Sequence, residues 1–188
     1  MNLPNKLTML RIIIIPVMII ISCISFLNEQ VLFANISIAN FINLILFMLA
    51  SFTDFLDGNI ARKRNLVTTF GKFADPLADK MLVFTAMIIL LEQGVIPGFV
   101  VILILMREFI VTGVRLVAVE HGTVIAASKL GKLKTATTML ALIVLFLFQS
   151  SNIVLVIGLV FIYIALALTI ISGVEYFYKN RQVIFESI

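Results

Sequence analysis

Six long apolar stretches divide the chain, at 12–27, 32–56, 70–91, 95–119, 133–148 and 153–174, and no polar segment between them is long enough to bury a core of its own. Each is close to the ~20 residues a helix needs to cross a hydrocarbon layer about 30 Å thick. Membrane strands would alternate in polarity, and runs such as Ile12-Ile13-Ile14-Ile15 do not. With 62% apolar and 13% charged residues, the chain is far from the roughly 45–50% and 25% of a soluble domain. The expectation is an all-α integral membrane protein: one domain over 1–188, built as a six-helix transmembrane bundle.

The charges orient it. Twelve of the fourteen basic residues fall on one side of such a bundle: Lys6, Arg11, Arg62, Lys63, Arg64, Lys72, Lys80, Lys129, Lys132, Lys134, Lys179 and Arg181. The connections around Glu29, Glu92 and Gln149 contain no Lys or Arg. Positive residues favour the cytoplasmic side, so both termini are expected there, N-in/C-in. No small-residue cleavage site follows the first stretch, which therefore reads as a retained helix rather than a leader. The net charge of +4 is explained by this asymmetry, and no nucleic-acid partner is expected. The single Cys23 excludes an intramolecular disulfide and a Cys-based metal site.

Four of the ten acidic residues occur within one short window: Asp54, Asp57, Asp75 and Asp79. The first pair is spaced i, i+3 and the second i, i+4, so on helices each pair shares a face. The purely apolar part of the third stretch, 81–91, has only eleven residues. Its helix must begin earlier, which draws Asp75 and Asp79 into the membrane's cytoplasmic zone; Pro76 there suits either a first turn or a kink. Uncompensated carboxylates in such a place repel each other and cost several kcal/mol to desolvate. A hard divalent cation, Mg²⁺ or Mn²⁺, removes that cost with oxygen ligands alone. Gly58, Ala61 and Gly71 permit close backbone approach, and Arg62 offers a planar fork for phosphate oxygens. Carboxylate-held metal beside an Arg points to a phosphate or pyrophosphate substrate.

Arg107, Glu108 and Arg115 lie inside the fourth stretch, where ionisable groups are costly and face a polar cavity or one another. Two readings stand: an ion-pair network that only fixes helix packing, or a cationic pocket for an anionic acceptor, helped by Lys132 and Lys134 at its mouth. Glu108 is offset from both Arg residues and suits a partner on another helix. Lys129, Lys132 and Lys134 are equally explained by topology and contact with anionic lipid. His121 reads as a solvated loop residue, and Tyr176 and Tyr178 as an aromatic belt at the end of the last helix.

The run Asp54-x2-Asp57-Gly58-x2-Ala61-Arg62-x8-Gly71-x3-Asp75-x3-Asp79 resembles the signature of the CDP-alcohol phosphotransferases, six-helix membrane enzymes that make phospholipid head groups. The opening Pro4-Asn5-Lys6-Leu7-Thr8 to Arg11, the segment 107–115 and the segment 126–135 extend the resemblance, closest to the bacterial branch whose acceptor is glycerol 3-phosphate. It implies two divalent ions held by Asp54, Asp57, Asp75 and Asp79, with Asp79 as general base. It further implies CDP-diacylglycerol bound by Asn5, Thr8, Gly58, Ala61, Arg62, Thr68 and Gly71. The acceptor phosphate would meet Arg107, Arg115, Lys132 and Lys134. A homodimer in the bacterial cell membrane, among membrane lipids and with its site facing the cytoplasm, is implied too. Other readings are a family member acting on inositol phosphate, an intramembrane prenyltransferase, and a divalent-cation transporter using the four aspartates as a permeation site.

Overall fold

The computed structural model of the chain describes residues 2–33, 35–63, 69–120 and 129–179. Among them the long elements are all helices: α1 (Leu3–Cys23), α3 (Ile38–Lys63), α4 (Thr69–Glu92), α5 (Gly98–Glu120), α6 (Lys129–Phe146) and α7 (Asn152–Lys179). A single short turn of helix, α2 (Ser25–Glu29), follows α1. The segments Asn5–Cys23 and Asn152–Lys179 are long and apolar enough to cross a membrane. In α3 to α6 the apolar run is interrupted by the charges that build the polar end of the bundle.

The first two long helices start away from where the sequence reading has them. The first helix starts at Leu3 rather than near 12, because Asn2 caps it: its side chain accepts the Asn5 N–H at 3.2 Å, and Pro4 sits in the first turn. The second begins at Ile38, not 32. The residues before it form an antiparallel hairpin, β1 (Val31–Phe33) with β2 (Ile36–Ser37). Asn35 makes the reversal with φ 60°, a left-handed conformation that Asn tolerates better than most residues. Pro76 lies well inside α4, past its first turn.

Helix spacing sets which faces are buried. Asn5, Thr8 and Arg11 recur every three residues on the inner face of α1, continued by Ile14, Ile15 and Met18. Ala74, Ala78, Leu82, Ala86 and Leu90 do the same for α4. α1 packs on α3 and α4, and α6 packs along α7. Phe47, Leu82, Met87, Ile104, Leu142, Leu145, Phe146 and Ile162 fill the centre. Gly158 lets α6 and α7 meet closely: a Cβ there would stand 2.5 Å from Leu145 Cδ2. At the end of the bundle away from the charges, polar side chains tie α1, α3 and α4 together. Asn43 Nδ2 donates to Ser22 Oγ at 2.8 Å, and Gln93 Nε2 donates to Asn40 Oδ1 at 2.8 Å.

Candidate active site

Because successive long helices run in opposite directions, the start of α1, the end of α3, the starts of α4 and α6 and the latter parts of α5 and α7 meet at one end. They enclose a cavity of about 480 Å³ lined by Ser51, Asp54, Asp79, Lys80, Arg107, Glu108, Arg115, Gly131, Lys132, Lys134, Thr135, Ala136, Met139 and Tyr176. Two of the expected aspartates and all four expected cationic residues therefore share one chamber. A narrow slot continues from Asp79 between Val83, Phe84 and Ile104.

On the acidic side, Arg11 is fully buried and its Nη1 lies 2.9 Å from Asp54 Oδ1. Thr8 donates its hydroxyl hydrogen to Asp75 Oδ1. The negative charge of Asp75 acts on Asp54, and that of Asp54 on Asp79. Asp79 Oδ1 and Ser51 Oγ are buried with no hydrogen-bond partner among the described residues. Asn5 on α1 and Gly71 on α4 are buried. Asp57, Gly58, Ala61 and Arg62 fall on the last turns of α3, where side chains lie outside the described residues, as do all of Thr68 and His121. Among the described residues no three carboxylates converge unaided into a set of metal ligands.

On the basic side, Glu108 is the hub. Its Oε1 accepts from Arg107 Nη1 at 2.8 Å and from Lys134 of α6. The partner on another helix is as expected, and it joins α5 to α6. Arg107 Nη2 donates to Ser172 Oγ of α7 at 3.0 Å. Arg115 rests with its guanidinium carbon 5.6 Å from the centre of the Tyr176 ring, a cation–π arrangement. The Nε groups of Arg107 and Arg115 are buried without a hydrogen-bond partner among the described residues. Since one such unmade bond costs about 1–3 kcal/mol, both guanidiniums hold donor capacity that an anion's oxygens would use.

The structure gives three residues places that the sequence does not assign. The sequence places Arg11 among the basic-side charges and at the end of the opening motif without giving it a role; it is 0% exposed and paired with Asp54. Its i, i+3 spacing from Asn5 and Thr8 was the available signal. Tyr176 is not a belt residue: it is 5% exposed and faces the cavity, whereas Tyr178 is 71% exposed. For Ser172 the available signal was slight, the helical recurrence of Thr169, Ser172 and Tyr176 in an otherwise apolar helix.

The apolar helices thus close at one end on a chamber with carboxylates on one side and guanidiniums on the other. Residues 1–171 match the CDP-alcohol phosphatidyltransferase family, and the chain belongs to it. Among curated relatives, a Bacillus subtilis (strain 168) protein named CDP-diacylglycerol--glycerol-3-phosphate 3-phosphatidyltransferase is 44% identical over 192 residues, covering 96% of each chain. A Rickettsia typhi protein of the same name is 42% identical over 94% of this chain and 95% of its own. A Mycobacterium tuberculosis (strain H37Rv) protein named probable phosphatidylglycerophosphate synthase is 39% identical over 93% of this chain and 79% of its own.

Proposed function

We propose that this protein transfers the phosphatidyl group of CDP-diacylglycerol to sn-glycerol 3-phosphate, giving phosphatidylglycerophosphate and CMP. The observation that carries the reading is the division of one cavity into an acidic wall, with Asp54 and Asp79, and a basic wall, with Arg107, Arg115, Lys132 and Lys134. The names of the relatives agree with it. A neutral acceptor alcohol would not need four cationic side chains, whereas a phosphorylated one does.

The acidic wall fits divalent ions by the chemistry of its donors. All are oxygens, the carboxylates repel one another, and Asp79 Oδ1 is buried and unpartnered among the described residues. Asp54, Asp57, Asp75 and Asp79 would hold two ions, Mg²⁺ or Mn²⁺, which when bound neutralise the pyrophosphate and stabilise the leaving CMP. Arg11 holds Asp54 and Thr8 holds Asp75 in their orientations. Asn5, Thr8, Gly58, Ala61, Arg62, Thr68 and Gly71 would border the CDP portion of the lipid. Arg107, Arg115, Lys132 and Lys134 bind the acceptor phosphate and turn its 1-hydroxyl toward Asp79. Asp79 takes the hydroxyl proton as the oxygen forms its bond to the phosphorus bearing diacylglycerol, and the bond from that phosphorus to CMP breaks. Positioning and charge neutralisation provide most of the rate.

In this reading the chain is one domain over 1–188 with six spans, N-in/C-in in the bacterial cytoplasmic membrane. The site opens on the cytoplasm, where a bilayer-anchored donor meets a soluble acceptor. The pairing of copies implied by the resemblance is open to cross-linking in native membranes. The test of function is purified protein in proteoliposomes with labelled CDP-diacylglycerol. CMP should appear only with divalent metal and glycerol 3-phosphate together. Preference for inositol phosphate in an acceptor panel would reassign the acceptor, and metal flux without CMP release would refute an enzyme.

A further inference from the structure

We infer that α7, through Ser172 and Gly173, aims Arg107 and thereby sets the preference for a phosphorylated acceptor, although neither residue lines the cavity. The inference rests on the reading of Arg107 as an acceptor-phosphate ligand. Arg107 leaves α5 and crosses to α7, where Nη2 donates to Ser172 Oγ at 3.0 Å. Ser172 is 1% exposed, and its own hydroxyl hydrogen goes to the Thr169 carbonyl at 3.2 Å, so its oxygen is presented to Arg107 in one orientation. The stem of Arg107 passes directly over Gly173. A Cβ at that position would stand 3.1 Å from Arg107 Cγ and 3.6 Å from its Nε.

Glycine weakens a helix relative to alanine, and α7 is otherwise a long run of strongly apolar residues. The close passage of the Arg107 stem accounts for a glycine there. With Nη1 on Glu108 and Nη2 on Ser172, the guanidinium plane is defined at two points. These two contacts use two of the five guanidinium N–H donors and leave the rest, the buried Nε–H among them, without a partner from Glu108 or Ser172. One turn further along α7, Tyr176 carries Arg115 on its ring face. A single stripe of α7 thus orients both guanidiniums of α5, and a shift of a few tenths of an ångström at 173 reaches the acceptor side without touching the acidic wall.

The test uses the full chain in proteoliposomes, measuring CMP release while glycerol 3-phosphate and CDP-diacylglycerol are varied in turn, for Ser172→Ala, Ser172→Thr, Gly173→Ala, Gly173→Val, Arg107→Ala and the double variant Arg107→Ala/Ser172→Ala. Ser172→Ala and Gly173→Ala should each raise KM for glycerol 3-phosphate by about 3–10-fold, the range expected for loss or misalignment of one ordinary hydrogen bond. KM for CDP-diacylglycerol and kcat should stay within about twofold. Gly173→Val should exceed Gly173→Ala, Ser172→Thr should retain most of the wild-type KM, and the double variant should be no worse than Arg107→Ala. If Arg107→Ala raises that KM while both α7 single variants leave it at wild type, the inference fails and the acceptor reading survives. If Arg107→Ala itself leaves KM unchanged, the acceptor reading falls and takes the inference with it. Equal losses for both substrates and in kcat would reduce α7 to packing and overturn the inference.

Discussion

The guanidinium of Arg11, 0% exposed, stands 2.9 Å from Asp54 Oδ1, so the first helix is anchored by charge to the residue that opens the acidic motif of α3. Removing one member of a fully buried ion pair costs about 3–5 kcal/mol. Asp54 is 35% exposed, so water offsets part of that cost here. Arg11→Met should lower stability by about 1–3 kcal/mol and reduce turnover, because Asp54 loses its fixed orientation. Arg11→Lys should keep more stability than Arg11→Met but not the wild-type rate, since an ammonium lacks the planar fork. Thermal unfolding in detergent beside CMP release separates the two effects, and an unchanged rate in Arg11→Met would remove Arg11 from the site.

Asp79 is the residue on which proton transfer is placed. Asp79→Asn conserves shape and removes basicity, so turnover should fall by about 10²–10⁴-fold, the usual share of general base catalysis. In the metal-free protein the unfolding temperature should stay near or above wild type, because one of several mutually repelling charges is gone. Near-normal activity in this variant would assign the base elsewhere.

Divalent metal should be indispensable. Stripping with a chelator should abolish CMP release, and adding Mg²⁺ or Mn²⁺ should restore it. The stripped protein should also unfold at a lower temperature, since binding to the folded state alone stabilises it. Full activity after exhaustive chelation would refute the role given to the four aspartates.

Glu108 joins Arg107 and Lys134, and all three side chains are at most 15% exposed. Glu108→Leu alone leaves two cations facing each other and should destabilise the protein by about 3–5 kcal/mol. Glu108→Leu with Lys134→Met removes one charge of each sign and should cost less than Glu108→Leu alone. A thermal double-mutant cycle reads the coupling, expected at about 1–3 kcal/mol; additive losses would mean that the contact contributes nothing.

Gly158 tests packing apart from catalysis. Gly158→Val should destabilise by about 1–3 kcal/mol through overpacking, because even a Cβ would meet Leu145 at 2.5 Å. Leu145→Ala should partly rescue it, while kinetic constants of the surviving folded protein change little. A Gly158→Val protein that unfolds like wild type would show that α6 and α7 can part without cost.

The sequence determined the helices and the composition of the site. Stretch length, charge asymmetry and the i, i+3 and i, i+4 spacing of the aspartates are local properties, set by the hydrocarbon thickness and the helical repeat. They are enough to mark the acidic motif and the cationic residues of α5 and α6. Only the tertiary structure decided which side chains face one another. How far a helix is rotated about its axis depends on packing against its neighbours, and α7, apolar over most of its surface, carries only a short polar stripe at its end to reveal its inner face. That rotation places Tyr176 beneath Arg115 rather than in lipid and Ser172 against Arg107. The pairing of Arg11 with Asp54 likewise joins residues far apart in the chain, held together by a fold whose rule is not written in either neighbourhood.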